Sequence, residues 1–349
     1  MRIDPPRGYR MPAEWEPHEA VWLAWPHNSS DWPGKIAAIH FVYAEIVRRI
    51  AESETVRILV NDDRHEAKAR TILRNCGIDP QRVEFFQDRT DRSWTRDFGP
   101  IFVNNDRETA VAGFKFNGWA KYDDHKLDSR IAERLAKKLK KKYFPIKHNG
   151  KPFVLEGGAI DVNGRGTLIT TEECVLDQEV QVRNPGVSRE DIERVLADSL
   201  GATNVLWLGC GIAGDDTHGH VDDVCRFVDA RTVVLCRETN AKDVNYALLE
   251  ENRERLEGFK LENGSKISTV FLPMPEPLYY RGQRLPASYA NFLITNSSVL
   301  VPTFNDPNDR IALGTLAELF PELAVVGIHA VDLVWGLGTL HCLSQQQPA

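Results

Sequence analysis

The feature that most constrains the fold is an irregular repeat of about 60 residues. Each unit runs through a helix, a strand, a polar loop and a pair of strands before the next helix begins. Repeated units arranged around an axis place equivalent loops at one end of a molecule. We therefore predict that one polar residue from each of five loops converges on a central site. These residues stand 59, 64, 71 and 51 positions apart: Asp97, Glu156, His220, Asn291 and Cys342.

Two apolar segments predict how the repeat closes. Residues 20–25, with the sequence AVWLAW, predict a buried strand that ends at Pro26. Terminal segments are usually polar and frayed, whereas the second segment stays apolar from Leu333 to Leu343. It therefore predicts a buried strand or loop that pairs near the first segment. Gly336 and Gly338 would let the backbone approach a neighbour closely.

Hydrophobic periodicity predicts helices at 35–51, 64–75, 127–143, 189–200, 241–258 and 308–319. Ser188 is the expected N-cap of the helix at 189–200. The lysines at 137–142 form the solvated face of their helix rather than a binding patch. Short apolar runs between the helices predict strands, one of them beginning at His220. The polar segment 88–100 is predicted to be a loop.

Composition narrows the classes of partner. The net charge of −7 disfavours nucleic acid and suits a small cationic substrate. No apolar run is long enough to predict a membrane span, and residues 1–6 lack the apolar core of a signal peptide. The six cysteines show no CxxC spacing, which indicates a cytoplasmic protein without disulfides or a structural zinc site.

The segment Trp94-Thr95-Arg96-Asp97 combines a large aromatic ring with a carboxylate. This combination is typical of a clamp for a planar cation, through charge pairing and cation–π contact. The alternative is a surface ion pair between Arg96 and Asp97.

The segment 215–223 packs two histidines and four aspartates into nine residues. On a strand beginning at His220, His220 and Asp222 would share one face and provide a general acid/base beside a carboxylate. A metal site built on His218 and His220 is the lower-ranked alternative, because no second ligand cluster supports it. A solvated acidic loop is the third interpretation. Glu156 follows an apolar run, so we expect it to be partly buried and to pair with His220 or a cationic ligand.

A thiol, a histidine and several carboxylates together favour a guanidinium substrate. Carboxylates would hold its nitrogens, the Cys342 thiolate would attack its carbon, and His220 would protonate the leaving ammonia and then activate water. A thiol with an ordinary pKa of about 8.5 needs help from a nearby cation, an imidazolium or the substrate itself. The alternative for Cys342 is a buried structural cysteine.

These motifs are where the chain resembles a known family. Trp94–Pro100, Glu156-Gly157-Gly158, Gly219–Asp222 and His341–Pro348 resemble the agmatine deiminases of the Porphyromonas-type peptidyl-arginine deiminase superfamily. The resemblance extends from residue 11 to residue 348.

The resemblance implies a pentein fold, an α/β-propeller of five ββαβ modules around a pseudo-fivefold axis, as a single catalytic domain over residues 1–349. It implies that the enzyme hydrolyses agmatine to N-carbamoylputrescine and ammonia in polyamine biosynthesis, without cofactor or metal. Cys342 would be the nucleophile, His220 the acid/base, and Asp97 and Asp222 the guanidinium ligands. Glu156, Asp216 and Asn291 match supporting positions.

The far end of the substrate is less constrained. Trp94 or Trp119 would cover the methylenes of agmatine, and Asp216 would face its ammonium. The sequence departs from the family pattern at 117–122 and 336–342, so arginine or peptidyl arginine remains an alternative, with Lys121, Arg281 and Arg284 as carboxylate ligands. An amidinotransferase and a non-catalytic pentein binding factor are further alternatives. The sequence is compatible with a homo-oligomer but does not predict the number of subunits.

Overall fold

The computed structural model describes residues 8–349 as a mixed α/β fold. The N-terminal segment on which the absence of a signal peptide was predicted, residues 1–6, lies outside the described residues. Among residues 8–349, no helix is both long enough and apolar enough to cross a membrane.

The helices and strands follow the predicted alternation. The helices are α1 (Ile36–Ile50), α2 (Asp63–Asn75), α3 (Thr95–Phe98), α4 (Ile131–Lys138), α5 (Glu172–Val175), α6 (Arg189–Leu200), α7 (Val244–Gly258) and α8 (Pro307–Leu319). The strands are β1 (His18–Ala24), β2 (Thr55–Val60), β3 (Val83–Gln87), β4 (Ile101–Asn104), β5 (Thr109–Gly113), β6 (Tyr143–Pro145), β7 (Lys147–His148), β8 (Lys151–Pro152), β9 (Asp161–Val162), β10 (Thr167–Thr171), β11 (Asn204–Leu208), β12 (Cys225–Phe227), β13 (Thr232–Arg237), β14 (Ser268–Pro273), β15 (Tyr279–Tyr280), β16 (Gln283–Arg284), β17 (Leu293–Ile294), β18 (Ser298–Thr303), β19 (Ala324–His329) and β20 (Ser344–Pro348).

Within the described residues, five small sheets share one connectivity. In each, two antiparallel strands are followed by a helix and a third strand that runs parallel to the second. The sheet orders are β4-β5-β6, β9-β10-β11, β12-β13-β14, β17-β18-β19 and β20-β1-β2, the last extended by β3. Parallel neighbours need a crossover connection, and a helix supplies it here. The repeat predicted from the sequence is thus present as repeated topology.

The fifth sheet joins two distant parts of the chain. Strand β20 pairs antiparallel with β1, with Val21 opposite Gln346. Trp22 donates its indole hydrogen to Gln347 Oε1 at 2.9 Å. The prediction that the apolar segment at 20–25 pairs near the chain's last strand is therefore confirmed.

Local signals explain the best-predicted helices. Ser188 caps α6 by accepting from the Asp191 backbone N–H, as expected, and Gly201 ends that helix with φ +70°. A capping box of Asp306 and Asp309 starts α8.

Three boundaries differ from the predictions. The helix expected at 127–143 is an α-helix only over Ile131–Lys138, because Lys140 has positive φ and Tyr143–Pro145 forms strand β6. The loop expected at 88–100 contains α3. His220 begins no strand; it precedes a 3-10 turn at Val221–Asp223, so the predicted face shared by His220 and Asp222 is wrong.

Candidate functional site

Five of the nine candidate residues from the sequence, Cys342 among them, line one cavity of about 180 Å³. The lining residues are Ser30, Asp31, Arg92, Trp94, Asp97, Trp119, Tyr122, Asp216, Thr217, Trp335, Gly336, Leu337 and Cys342. The remaining candidates, His220, Asp222, Glu156 and Asn291, are buried around its inner end. The polar loops therefore do converge.

The backbone of α3 fixes the inner wall. Thr95 donates its hydroxyl to the Leu343 carbonyl at 2.6 Å, and the Arg96 N–H donates to the Cys342 carbonyl at 3.2 Å. The Arg96 side chain is buried and donates to Gln346 Oε1 at 2.6 Å. The alternative of a surface Arg96–Asp97 pair is therefore wrong, and α3 instead holds Asp97 beside Cys342.

Cys342 is held by Asn291. The Asn291 amide donates to Cys342 Sγ at 3.0 Å, and its oxygen accepts from the His341 N–H at 3.0 Å. Burial raises the pKa of the thiol well above its ordinary value, and the nearby Asp222, Asp223 and Asp97 carboxylates raise it further. Both burial and the neighbouring carboxylates therefore favour the protonated thiol.

Gly338 makes the approach to the nucleophile possible. A Cβ atom on Gly338 would lie 2.8 Å from the Trp94 ring and 3.2 Å from Cys342 Sγ. The expectation of a close backbone approach at Gly338 is confirmed, and the neighbour it approaches is the candidate site itself.

His220 is fully buried, and within residues 8–349 neither of its ring nitrogens has a hydrogen-bond partner. Its Nδ1 lies 3.8 Å from Asp97 Oδ1. Burial opposes a charge on the ring, but Asp97, Cys174 and Asp222 outweigh it and raise the His220 pKa well above the ordinary value. A buried polar group without a partner costs free energy of about 1–3 kcal/mol, which a ligand can offset.

Asp97 is oriented by two donors. Trp119 Nε1 donates to its Oδ2 at 2.9 Å, and the Gly158 N–H donates to its Oδ1 at 3.2 Å. Gly158 is required there, because a Cβ would lie 2.5 Å from His220 Nδ1. Burial raises the pKa of Asp97 to about 6, with Asp222 and Glu156 adding to the rise. The site thus favours a cation beside this carboxyl.

Asp222 is hydrogen-bonded to His341, a residue to which the sequence analysis assigned no role. His341 Nδ1 lies 2.7 Å from Asp222 Oδ2, and Asp222 Oδ1 has no partner among the described residues. Burial disfavours ionisation, but the His341 hydrogen bond and charge prevail and lower the pKa of Asp222. Asp222 therefore presents a free carboxylate oxygen at the inner end of the cavity.

Glu156 pairs with Arg183, not with His220 as one expectation had it. Arg183 Nε donates to Glu156 Oε1 at 3.1 Å, and both side chains are 1% exposed. Oε2 has no partner in the part of the chain that the structure describes. The signal for Arg183 in the sequence was indirect, namely that a buried carboxylate needs a cation.

At the outer end of the cavity, Asp216 is already partnered. Lys121 donates to it, and the Tyr122 hydroxyl donates to its Oδ2 at 2.6 Å. A second carboxylate, Asp31, was missed by the sequence analysis. Arg92 donates to Asp31 Oδ1 at 2.6 Å, while burial raises the pKa of Asp31 to about 7. The outer wall therefore mixes both signs of charge.

Two groups in residues 8–349 bring metal-ligating atoms together: Glu156, Cys174 and His220, and Asp222, Asp223 and Cys342. The predicted alternative that joined His218 to His220 is not one of them. His218 Nε2 instead lies 2.6 Å from Asp177.

The sequence of the chain matches a known protein family. A family model described as Porphyromonas-type peptidyl-arginine deiminase matches residues 10–348. The chain belongs to this family. The family match spans every candidate residue named above.

Related proteins and solved structures resemble the chain over nearly its whole length. The agmatine deiminase of Pseudomonas aeruginosa is 34% identical over 367 aligned positions, which cover 98% of this chain and 96% of the relative. The structure of the Enterococcus faecalis agmatine deiminase matches with a TM-score of 0.88 at 31% identity, covering 98% of this chain and 96% of that one. The C. jejuni agmatine deiminase with substrate bound matches with a TM-score of 0.85 at 31% identity and the same coverage.

Proposed function

We propose that this protein is an agmatine deiminase, which hydrolyses agmatine to N-carbamoylputrescine and ammonia through an amidino-Cys342 intermediate. One observation carries the proposal. Around the buried Cys342 thiol, three acidic or basic side chains present polar atoms that no partner among residues 8–349 satisfies: His220, Asp222 and Glu156. A planar guanidinium has donors for the carboxylate oxygens, and its carbon would face the thiol.

The proposed chemistry starts with binding. The substrate cation among Asp97, Asp222 and Glu156 offsets the negative field that keeps Cys342 protonated, so the thiol loses its proton to solvent only when substrate is present. The thiolate attacks the guanidinium carbon, and protonated His220 gives its proton to the departing nitrogen. Ammonia leaves, and an S-linked amidinium remains.

The second half regenerates the enzyme. His220, now neutral, takes a proton from water, and the hydroxide attacks the amidinium carbon. The carbon–sulfur bond breaks, the hydroxyl proton passes to the departing thiolate to restore the Cys342 thiol, and a urea group remains on the product. Asn291 stabilises the departing thiolate, because its amide donates to Cys342 Sγ at 3.0 Å. Metal and cofactor have no part in these steps.

The methylenes of agmatine would lie between Trp94 and Trp119, and its ammonium would face the outer carboxylates Asp216 and Asp31. Both line the cavity. Two carboxylates at this end would repel the α-carboxylate of arginine.

A second candidate substrate, arginine, is favoured by one observation. Lys121 pairs with Asp216, which lines the cavity, and the Lys121 side chain is 41% exposed. Rotation of this side chain away from Asp216 would bring its ammonium to a substrate carboxylate. Among the described residues, none of Lys121, Arg281 and Arg284 lines the cavity, but Lys121 bonds to a lining residue, which makes it the candidate carboxylate ligand of the three.

A product assay tests both substrates. We expect kcat/KM for agmatine to exceed that for free and peptidyl arginine by on the order of a hundredfold. Asp216→Asn should lower this ratio, and Lys121→Ala should raise it, with little change in kcat for agmatine. Equal values, or arginine ahead with loss in Lys121→Ala, would assign an arginine deiminase instead.

We further propose that the five sheets surround a pseudo-fivefold axis as one pentein domain over residues 1–349. The shared connectivity of the sheets and the convergence of their loops support this arrangement. A cytoplasmic location agrees with six cysteines that form no disulfide within the described residues. A homo-oligomer is compatible with the proposal.

A further inference from the structure

Cys174 is a thiol that the proposed reaction does not use, yet it lies beside the proposed acid/base. It is 1% exposed on the short helix α5. Its N–H donates to Thr171 Oγ1 at 3.1 Å, which anchors its backbone at the start of α5. The Cys174 sulfur and a ring nitrogen of His220 lie within 4.8 Å of each other. The thiol and the imidazole are therefore neighbours.

Glu156 completes a set of three different donors. One atom each from Glu156, Cys174 and His220 lies within 4.8 Å of the other two. Zinc bonds of about 2.0–2.3 Å in tetrahedral geometry place ligand atoms about 3.5 Å apart. Each side chain would have to move by less than about 1 Å. A thiolate, an imidazole and a carboxylate are ligands that zinc accepts.

Two of the three donors have free atoms. Glu156 Oε2 and both ring nitrogens of His220 are buried and have no hydrogen-bond partner in residues 8–349. These atoms point to a missing cation rather than to a finished hydrogen-bond network. The proposed substrate accounts for atoms that face Cys342, but it does not account for a soft thiol donor on this side of His220.

We propose that Glu156, Cys174 and His220 form an inhibitory site for a soft divalent cation, Zn²⁺. On binding, the Cys174 thiol loses its proton to solvent, and His220 binds in its neutral form. The bound cation removes His220 from acid/base chemistry and occupies the carboxylate that the guanidinium requires. Metal and substrate would therefore compete.

A neighbouring arginine limits the affinity of this site for Zn²⁺. Arg183 donates to Glu156 at 3.1 Å and places a positive charge beside the site. Protons must also leave the thiol and the ring. We therefore expect an affinity that increases with pH and is weaker than that of a structural zinc site.

The second candidate group, Asp222, Asp223 and Cys342, is less suited to zinc. Asp222 is bonded to His341, and Asn291 donates both to Asp223 Oδ1 and to Cys342 Sγ, each at 3.0 Å. These existing bonds would have to break. The two groups contain different cysteines, so they are separable by experiment.

Cobalt spectroscopy tests the site without turnover. Co²⁺ is added to Cys342→Ala protein, in which the proposed nucleophile is absent, and the sulfur-to-cobalt charge-transfer band is recorded. We expect the band in Cys342→Ala and in a control that also carries Cys76→Ser. We expect its loss when Cys174→Ser or Cys174→Ala is added, with folding checked by circular dichroism. A band that survives both Cys174 substitutions, or no band in Cys342→Ala, would overturn the proposal.

A second arm measures inhibition, which rests on the proposed function. Zn²⁺ should raise the KM for agmatine with little change in kcat, and EDTA should reverse the effect. Cys174→Ser should raise the Zn²⁺ concentration that halves activity by at least about tenfold. A Cys174-dependent cobalt band in Cys342→Ala, together with no deiminase activity in the protein with Cys342 intact, would leave the metal site standing and reject the proposed function. Inhibition unchanged by Cys174→Ser would reject the metal site alone.

Discussion

At the scale of single residues, Cys342 has an environment opposite to that of most reactive thiols. Reactive cysteines usually lie near positive charges that lower their pKa, whereas Cys342 faces Asp97, Asp222 and Asp223. In the proposed mechanism, the substrate supplies the missing positive charge. Of the three sources of assistance considered from the sequence, only this one enters and leaves with each turnover.

Replacing Cys342 should therefore separate binding from chemistry. We expect Cys342→Ala to lower kcat by at least about a thousandfold, while agmatine still binds because the carboxylates remain. Isothermal titration calorimetry measures the binding and ammonia release measures the turnover. Cys76→Ser is the matched control and should keep full activity. Substantial ammonia release by Cys342→Ala would refute the nucleophile assignment.

The pKa of Asp97 sets the acid limb that we expect in the pH profile of kcat/KM. The carboxyl must be ionised to bind a cation, and its pKa in the free protein is raised to about 6. As the pH falls below about 6 the protonated form dominates, so kcat/KM should fall by up to about tenfold per pH unit. In the pH profile of kcat the acid limb should lie at lower pH, because bound substrate favours the ionised form of Asp97.

Asp31, with a pKa raised to about 7, is the other titrating carboxyl at the cavity. Asp31→Asn should leave the limb near pH 6 in place. A kcat/KM profile that stays flat to pH 5 would contradict the proposed binding role of Asp97.

Residues in motifs could be predicted from the sequence, whereas their partners could not. Asp97, His220 and Cys342 are recognisable because their neighbours in the chain are distinctive. Arg183 and Asp31 act on the site through tertiary contacts, with Glu156 and the cavity wall respectively. No spacing rule connects such pairs.

At the scale of elements, strand β20 is stabilised by its glutamines as well as by its backbone. Gln347 Oε1 accepts from Trp22 Nε1 at 2.9 Å and from Arg57 Nη1 at 2.7 Å, and its amide donates to Glu19 at 2.6 Å. These three bonds tie β20 to β1 and β2. A run of glutamines, usually a mark of exposed chain, is here buried.

Gln347→Ala should accordingly destabilise the fold by about 1–3 kcal/mol, because it leaves the buried indole N–H of Trp22 and the Nη1 group of Arg57 without their acceptor. Urea denaturation measures the change in the free energy of unfolding. Gln81→Ala, at an exposed position, should change it by no more than about 0.5 kcal/mol. Equal effects of the two substitutions would show that the Gln347 bonds add nothing.

The elements predicted well are those with a local cause. Helix α6 has its N-cap and its terminal glycine in the sequence, whereas α4 stops early because Tyr143–Pro145 pairs with β5. The wrong strand at His220 has a similar explanation. The turn at Val221–Asp223 is imposed by contacts of the acidic loop, such as the Asp215 carboxylate accepting from the His220 N–H at 3.0 Å.

At the scale of the whole molecule, a buried charge network connects the sheets beneath the site. Arg226 is fully buried; it donates to Asp161 Oδ2 at 2.7 Å and to Glu14 Oε2 at 2.6 Å. Glu14 also lies 2.9 Å from His341 Nε2, the histidine bound to Asp222. The network therefore reaches from the N-terminal segment to the candidate site.

Removing Arg226 should be costly. Arg226→Met leaves the buried carboxylates of Glu14 and Asp161 without their cation, and we expect a loss of about 3–5 kcal/mol in the free energy of unfolding. Arg194→Met breaks an ion pair with Asp191 whose arginine is 65% exposed, and should cost about 0–1 kcal/mol. Both are measured by chemical denaturation, and a small effect of Arg226→Met would mean that the network contributes little to stability.

The sequence predicted the architecture better than the connections within it. The alternation of elements and the convergence of five loops followed from hydrophobic pattern and spacing. The network of Glu14, Arg226 and His341 did not, because its members come from three distant segments of the chain.

The pairing of β1 with β20 also has a consequence for how the protein folds. Trp22 and Gln347 are 325 residues apart in sequence, so their contact closes one of the longest loops available to the chain. Forming such a contact sacrifices chain entropy before it brings any stabilisation, which makes it a late event on the folding pathway. The backbone that α3 holds at Cys342 and Leu343 leads directly into β20, which begins at Ser344. Partly folded chains would thus hold native helices and yet lack an organised nucleophile.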